Sequence, residues 1–375
     1  MHFSTTVLSP DELALREELR DFLATELPEG LPGLGMANSH NRDFSKKLAA
    51  RGWIGMAIPE EYGGHSRTAV DRFIVTEELL SAGAPISAHF VADRQTAPTL
   101  LRFGTEEQRR WFLPRIAAGE LAFALGMSEP DAGSDLASVR TTATRDGDGW
   151  VLNGTKVWTS GAHLCDYFVV LCRTSPAEDR HEGLSQLIVD LHAPGVTISP
   201  IPFLNGKHHF NQVVLDQVFV PDERVLGEVG SGWHQVTSEL AYERSGPDRF
   251  LSPFTLLRAL VAEQEAGHLS DDVAGAVGTL VAEFWSIRQL SLHVARTIDD
   301  GGAPAVEAAL VKDIGTRFEQ KAVELVRKVV DAEVTPDQGT VFEQLLAEAV
   351  LTSPTFTLRG GTTEVLRSIA AKGIR

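Results

Sequence analysis

The residues whose types and spacing could support chemistry are concentrated in one stretch, from Phe123 to Ser160. It joins a tight, acid-bearing turn, Ser128 to Asp135, to extended runs that end in the sequence Trp-Thr-Ser at 158–160. Asn153-Gly154 and the segment 146–149 supply residues that tolerate the positive φ of hairpin loops, so the flanking runs are predicted to be antiparallel strands. Taken alone, these residues fit a turn cluster and a core tryptophan as well as they fit a binding site.

Other reactive residue types give weaker candidates. His208-His209 has no third ligand at a suitable spacing, so we interpret it as a pair in a loop and predict no metal site. Cys165 and Cys172 form no CxxC or Cys/His pattern, and we interpret both as reduced thiols of a cytoplasmic protein. No GxGxxG sequence follows a predicted strand, which argues against a nicotinamide dinucleotide.

The composition indicates a folded protein and restricts its partners. The chain has 375 residues, 43% of them hydrophobic, which is enough for two or three domains with real cores. The formal net charge is −17, so a nucleic acid would meet a repulsive field and is a poor candidate partner. No charged-then-apolar leader opens the sequence, and no apolar run is long enough for a bilayer. We therefore expect a cytoplasmic protein with no membrane segment.

The hydrophobic periodicity divides the sequence into three predicted domains. Residues 1–121 are predicted to be helical, beginning with a capping box at Ser9 to Glu12 that has proline at the first helical position. Residues 122–225 change to short strands, which favours a small barrel or sandwich. Residues 226–375 return to long helical segments, the first from about Trp233 to Gly267, and predict an antiparallel bundle. The expected fold class is α+β.

Four stretches resemble a known family. MSEPDAGSDLASVRT and NGTKVWTSGA, at 127–141 and 153–162, are similar to the flavin-binding segments of acyl-CoA dehydrogenases. The segment 211–233 resembles the strand and loop that leave the middle domain of that family, and 358–370 resembles its closing helix. Because these matches follow the family's order over nearly the whole chain, the sequence is identified as a member, and the resemblance implies the same three-domain order.

The resemblance implies FAD as the cofactor, since no side chain accepts a hydride. In relatives, the turn like 125–128 lies along the flavin ring, the Trp-Thr-Ser run packs against the ring, and a serine like Ser134 contacts both cofactor and acyl-CoA. The FAD-binding residues that the resemblance implies are Leu125, Met127, Ser128, Ser134, Trp158, Thr159, Ser160, Thr362 and Glu364.

The resemblance also implies a catalytic base. Many members carry a glutamate in a Tyr-Glu-Gly-Thr sequence, but this chain has Arg-Gly-Gly-Thr at 359–362, which puts Gly360 at the glutamate position. A minority place the base before an arginine on the first bundle helix, where this chain has LAYERSGP. Glu243 is therefore the predicted base, with Tyr242 and Arg244 contacting substrate and the Gly360 N–H donating to the thioester oxygen. The helix alone would favour a solvated or ion-paired Glu243.

The implied reaction is dehydrogenation of an acyl-CoA thioester to the trans-2-enoyl thioester, with electrons passed to an electron-transfer flavoprotein. Flavin monooxygenases and nitroalkane oxidases share the fold, and Glu243 argues mildly against them because they need no glutamate there. A third possibility is a non-catalytic subunit or an acyl-thioester-binding module. Acyl-carrier-protein thioesters are an alternative to CoA esters, and the sequence does not specify the length, branching or ring content of the acyl group.

Two missing motifs bear on assembly. In the family's homo-oligomers a neighbouring subunit reaches each FAD through Arg-x-x-x-Phe-Gly and Gln-x-x-Gly-Gly sequences. Neither motif is present at Ala262 to Asp272 or at Ala332 to Thr340, and both stretches contain acidic residues that would repel the FAD phosphates. We therefore expect a hetero-oligomer in which a related subunit completes the FAD site. A homo-oligomer that holds FAD through unrecognised residues is the alternative.

The two base positions lead to an expectation about variants. If Glu243 and Gly360 face one substrate carbon, Glu243→Thr combined with Gly360→Glu should restore part of the activity that the single change removes. If Trp158 packs on the flavin, Trp158→Ala should weaken FAD retention more than it weakens folding.

Overall fold

The computed structural model describes residues 5–35, 40–176, 178–265, 270–332, 334–335 and 338–373. The chain packs as two compact units. The sheet unit comprises 40–67 and 86–240, and the bundle unit comprises 1–39, 68–85 and 241–375. Helices of the N-terminal third are therefore shared between the two units.

The helices precede and follow the strands along the chain, as the hydrophobic periodicity predicts. In chain order they are α1 Pro10–Glu26, α2 Arg42–Ala50, α3 Ala69–Ser81, α4 Ser87–Val91, α5 Ala97–Phe103, α6 Glu106–Ala117, α7 Gly232–Glu243, α8 Phe254–Glu265, α9 Asp271–Asp299, α10 Ala305–Val329, α11 Val341–Thr352 and α12 Thr363–Gly373. The predicted capping box of α1 is present, because Ser9 and Glu12 each accept from the other's backbone N–H. A π-helical turn at Ala92–Thr96, between α4 and α5, was not predicted.

The predicted helix from Trp233 to Gly267 is wrong. The structure instead ends α7 at Glu243, forms a 3-10 turn at Pro247–Arg249 and begins α8 at Phe254. Pro247 and Pro253 explain the break, because proline lacks the N–H that an interior helical residue donates and its ring clashes with the preceding turn.

The strands form the centre of the sheet unit. In chain order they are β1 Phe123–Gly126, β2 Thr142–Asp146, β3 Gly149–Ser160, β4 Tyr167–Arg173, β5 Leu184–Asp190, β6 Val196–Pro202, β7 His208–Pro221 and β8 Val225–Leu226. They form one sheet in the order β6-β7-β3-β2-β4-β5-β8, and β1 pairs with β4. The predicted α+β class is confirmed, and the sheet is open. The β2–β3 pair is antiparallel and turns at 146–149, as the hairpin residues there predict, and β3 also pairs antiparallel with β7. The prediction of a hairpin loop at Asn153-Gly154 is wrong, because both residues lie inside β3.

Three apolar clusters lie among the described residues of the sheet unit, and the two larger ones pack against its strands. One lies against β2, β3, β4, β5 and β7 and includes Trp150, Leu152 and Phe168. The other joins α5 and α6 to β1 and includes Leu100, Phe112 and Phe123 in its buried set. Because strand residues alternate between faces, this packing fixes which β1 and β3 residues point into a core and which stay available for a ligand. Both cysteines are buried and are not in disulfides.

Membrane-spanning helices and metal-ligand clusters are both absent from the part of the chain that the structure describes. No helix there is long and apolar enough to cross a bilayer. In that same part of the chain, no group of three or more His, Cys, Asp or Glu side chains could hold a metal ion.

Candidate active site

A β-bulge presents Trp158 on the surface of the sheet unit. The pairing of β3 with β7 shifts its register between Lys156 and Thr159, and Trp158 lies in the left-handed region with φ 60°. Its side chain is 59% exposed and contacts the Phe210 ring edge-on, with the ring centroids 5.9 Å apart. A bulge redirects a side chain out of the regular strand alternation, and a strained tryptophan persists only where its surroundings hold it.

The bulge lies beside the acid-bearing turn. The Val157 N–H donates to the carbonyl of Ser128 at 2.9 Å, which ties β3 to the residues that follow β1. Leu125, Met127 and Ser128 are half-buried along this edge. The structure therefore brings together the two segments that the sequence analysis assigned to the flavin, although they are about 30 positions apart in the chain.

A buried ion pair holds the two segments in this arrangement. Lys156 Nζ donates to the Met127 carbonyl at 3.1 Å and to Glu129 Oε1 at 2.7 Å, and the Lys156 side chain is fully buried. Glu129 also accepts from the backbone N–H groups of Arg140 and Thr141, at 2.6 and 2.9 Å. Each carboxylate oxygen therefore has a donor, which an ionised group needs when it is buried.

The pKa values of this pair reflect burial and mutual attraction. Burial raises the pKa of Glu129, but the attraction and hydrogen bond of Lys156 and the donors at Thr141 and Arg140 outweigh it, so the net pKa is lowered. Burial lowers the pKa of Lys156, and Glu129 opposes that change. Lys156 was not predicted as a site residue, although it shares its strand face with the buried Trp150 and Leu152, six and four positions earlier in β3.

Asn211 anchors the Trp-Thr-Ser run from the other side. Its Nδ2 donates to the Thr159 carbonyl at 2.9 Å, and its Oδ1 accepts from His208 Nε2 at 2.7 Å. The His208 ring stacks on His163 with centroids 3.9 Å apart. The interpretation of His208-His209 as a loop pair is wrong, because both residues begin β7, where His208 pairs with Pro202.

Ser134 lies on the exposed part of the acid-bearing turn. The turn is closed by reciprocal backbone hydrogen bonds between Glu129 and Ala132, at 2.8 and 3.1 Å. The neighbouring Asp135 carboxylate accepts from Arg180 at 2.8 Å. The exposed Ser134 side chain is accessible to a ligand, and its predicted contact with FAD and acyl-CoA stays a prediction.

In the bundle unit, Gly360 and Gly361 form a loop surrounded by cations. The backbone of both glycines lies in the left-handed region, with φ of 66° at Gly360 and 98° at Gly361. The Gly360 carbonyl accepts from Arg244 Nε at 3.3 Å, and the Gly361 carbonyl accepts from Lys312 Nζ. A Cβ added to Gly360 would lie 3.2 Å from Arg249 Nη1. Position 360 is therefore shaped for glycine in both backbone and surroundings.

The residues on either side of this loop are also held. Arg359 donates to Glu319 Oε2 at 2.9 Å and to Ser252 Oγ at 2.7 Å. After the loop, Thr362 precedes α12 and Glu364 lies in its exposed first turn. The pKa of Glu364 is lowered mainly by a hydrogen bond from its own backbone N–H and, to a smaller extent, by one from the Thr362 hydroxyl.

The predicted base lies at the end of α7. Glu243 is the last residue of that helix, and Arg244, which follows it, is 6% exposed. The side chains of Tyr242 and Glu243 lie outside the described residues, as do parts of the stretches 262–272 and 332–340. The roles of these residues therefore stay predictions.

Family models match most of the chain. Residues 9–120 match the acyl-CoA dehydrogenase N-terminal domain, 124–218 the middle domain and 253–375 the C-terminal domain. The chain therefore belongs to the acyl-CoA dehydrogenase family. Members of this family are flavoprotein oxidoreductases, so the chain is an oxidoreductase.

Three relatives are similar along their full length. Acyl-CoA dehydrogenase FadE26 of Mycobacterium tuberculosis is 33% identical over 390 residues, covering 96% of each chain. The solved Tcur3481-Tcur3483 steroid ACAD is 30% identical with a TM-score of 0.88, covering 98% of both chains. The ChsE4-ChsE5 complex from Mycobacterium tuberculosis is 32% identical with a TM-score of 0.83, covering 99% of this chain and 100% of the other.

Proposed function

We propose that this chain catalyses the FAD-dependent α,β-dehydrogenation of an acyl-CoA thioester to the trans-2-enoyl thioester and passes the electrons to an electron-transfer flavoprotein. Family membership supports dehydrogenation of acyl-CoA in general. The observation that carries the proposal for this chain is the bulge that holds Trp158 exposed beside Ser128, because it joins both segments that resemble the family's flavin-binding sequences.

The residues of the sheet unit fit a flavin. Trp158 offers an exposed aromatic surface, and the buried Thr159 Oγ1 has no hydrogen-bond partner among the described residues. Leu125 and Met127 supply half-buried apolar contacts, and Ser128 supplies a hydroxyl and backbone groups. In this proposal these residues, with Ser134 and Ser160, hold FAD. Contacts of Thr362 and Glu364 with FAD stay a prediction from the family resemblance. When bound, FAD accepts the hydride from the β-carbon of the substrate.

The residues near the start and end of the bundle supply the proton chemistry. Glu243 removes the α-proton as a general base, which requires a carboxylate whose pKa an apolar site has raised. The Gly360 N–H donates to the thioester oxygen and stabilises the enolate charge that develops as the proton leaves. Tyr242 and Arg244 contact the substrate, and the buried Arg244 also fixes the Gly360 carbonyl.

The test is Glu243→Gln. We expect the variant to keep its FAD and to lose at least about a hundredfold in the rate of flavin reduction by acyl-CoA, since a general base contributes about 10²–10⁴. The rate is measured anaerobically by stopped-flow absorbance. Glu120→Gln, which changes an exposed glutamate after α6, is the control and should be unaffected. A Glu243→Gln enzyme that is reduced at the unchanged rate would remove Glu243 from the mechanism.

We also propose that a related but different subunit completes the FAD site and that the acyl group is bulky, as in a steroid side chain. The similar solved structures are the ChsE4-ChsE5 complex and a steroid ACAD, and the family motifs for the phosphate side are missing from this sequence. Expressing the chain alone should give flavin-poor protein, and adding the partner should restore one FAD per completed site. An active homo-oligomer saturated with FAD would refute the heteromer.

A further inference from the structure

The Gly360–Gly361 loop needs contacts from outside to hold one conformation. Glycine reaches left-handed and right-handed backbone at similar cost, so two successive glycines leave their peptide groups free to rotate unless other residues fix them. Here φ is 66° at Gly360 and 98° at Gly361. Under the proposed function, the Gly360 N–H is the donor to the thioester oxygen, so its direction sets the rate of proton removal.

Lys312 lies in a position to fix this loop. It belongs to α10, and its exposed fraction is 0%. Its Nζ donates to the Gly361 carbonyl and to the Thr357 carbonyl at 3.4 Å, so one ammonium joins both sides of the loop. Burying an ammonium is costly unless its donors are paired, and here they are paired with two carbonyls of the loop.

We propose that Lys312 is a positioning residue for the oxyanion contact. By holding the Gly361 and Thr357 carbonyls, it restricts the loop between them and keeps the Gly360 N–H directed at the thioester oxygen. This inference rests on the proposed function, because the oxygen that Gly360 serves is the one on the acyl-CoA substrate. Lys312 touches neither substrate nor cofactor in this proposal and acts through the Gly361 and Thr357 carbonyls.

Two neighbouring arginines complete the enclosure. Arg244 Nε holds the Gly360 carbonyl at 3.3 Å, and the Arg249 guanidinium lies against the Gly360 Cα, where it would be 3.2 Å from an added Cβ. Arg249 Nε is in turn 3.0 Å from Asp248 Oδ2. Lys312 is the better residue to test, because Arg244 follows the proposed base directly and a change there would confuse two roles.

The experiment compares Lys312→Met and Lys312→Gln with wild-type protein in its assembled, FAD-loaded form. Methionine keeps the length of the buried stem but has no donor, and glutamine keeps a donor. We expect Lys312→Met to lower the rate of flavin reduction by about 10–100-fold with KM within about twofold, and Lys312→Gln to recover part of that loss. Lys321→Met, at the exposed Lys321 of the same helix, should have no effect.

A second measurement separates positioning from stability. The bound enolate of a 3-ketoacyl-CoA gives a long-wavelength band with oxidised flavin, and the pKa for its formation reports how well the thioester oxygen is stabilised. We expect Lys312→Met to raise this pKa by at least about one unit, which is a tenfold loss of enolate stabilisation. A purely structural role would lower the melting temperature and leave both the band and the rate unchanged.

The outcomes distinguish the two proposals. If wild-type protein is not reduced by any acyl-CoA, the proposed function fails, and the inference fails with it. If wild-type protein is reduced and folded Lys312→Met keeps its rate within about twofold, only the inference is overturned. If Lys312→Met does not fold, Lys312→Gln becomes the deciding variant. A Lys312→Gln protein that is less stable, but whose flavin-reduction rate and enolate pKa are unchanged, would assign Lys312 to the fold alone.

Discussion

Moving the proposed catalytic carboxylate from Glu243 to position 360 should fail, contrary to the expectation from sequence. In the double variant Glu243→Thr/Gly360→Glu, the new side chain would enter a site that the structure has adapted to glycine. The backbone there has φ 66°, and any residue other than glycine in this region costs about 1–2 kcal/mol. The added Cβ would also lie 3.2–3.3 Å from three atoms of the Arg249 guanidinium.

The charge of Arg249 makes the new carboxylate a poor base. Arg249 is 2% exposed, so it cannot turn away into solvent. A carboxylate beside an arginine has its pKa lowered by about 1–3 units, which is about 1.4–4 kcal/mol of lost basicity. Because only part of this change appears in the rate, proton removal is slowed by at most about 10- to 1,000-fold. We therefore expect the double variant to react no faster than Glu243→Thr alone.

Two further variants separate strain from charge. Gly360→Ala carries the backbone cost and the Cβ contact without the carboxylate, so its melting temperature measures the strain by itself. Stopped-flow flavin reduction by acyl-CoA then gives the effect of the charge, measured at pH 7 and again at pH 9. If flavin reduction in the double variant is at least tenfold faster than in Glu243→Thr, the reasoning is refuted, and Arg249 must move to make room for the new side chain.

Three other changes test the sheet unit. Trp158→Ala should lose FAD during gel filtration while its melting temperature changes little, because the 59% exposed side chain contributes little to a core. If the variant keeps its full flavin content after purification, Trp158 is an ordinary surface residue. Lys156→Met should lower the free energy of unfolding, measured by urea titration, by about 3–5 kcal/mol, because it leaves Glu129 buried without its cation. Adding Glu129→Gln should restore part of that loss, and no recovery would mean that the two side chains are not coupled. His89, whose Nδ1 is 2.8 Å from Ser45 Oγ, has its pKa lowered to about 3 by burial and then by His40. Folding favours the neutral His89 ring, so the contribution of His89 to the free energy of unfolding is fully present above pH 6.5. This contribution falls by about 1.4 kcal/mol per pH unit as the pH drops from 6.5 toward 3. His89→Asn should flatten this dependence in unfolding curves at pH 7, 6 and 5, and an unchanged slope would assign the acid sensitivity to other groups.

Local patterns in the sequence were enough to predict the fold class. Ser9 and Glu12 predict a capped helix start because the capping residues are three positions apart and need nothing from elsewhere in the chain. The β2–β3 hairpin is predicted for the same reason, since Asp146 and Gly149 lie within one turn. The failed helix from Trp233 to Gly267 also had a local signal, Pro247, which was outweighed by the apolar period on either side of it.

The arrangement of the candidate site depends on contacts between distant parts of the chain. The Lys156–Glu129 pair, the shift in register that turns Trp158 outward and the approach of Lys312 to Gly361 each join residues that no short window contains. The sequence determined that residue 360 has no carboxylate, because that is a matter of identity at one position. Only the tertiary structure decided that a carboxylate placed there would meet a buried arginine, because the electrostatic environment of a side chain is set by whatever the fold packs against it.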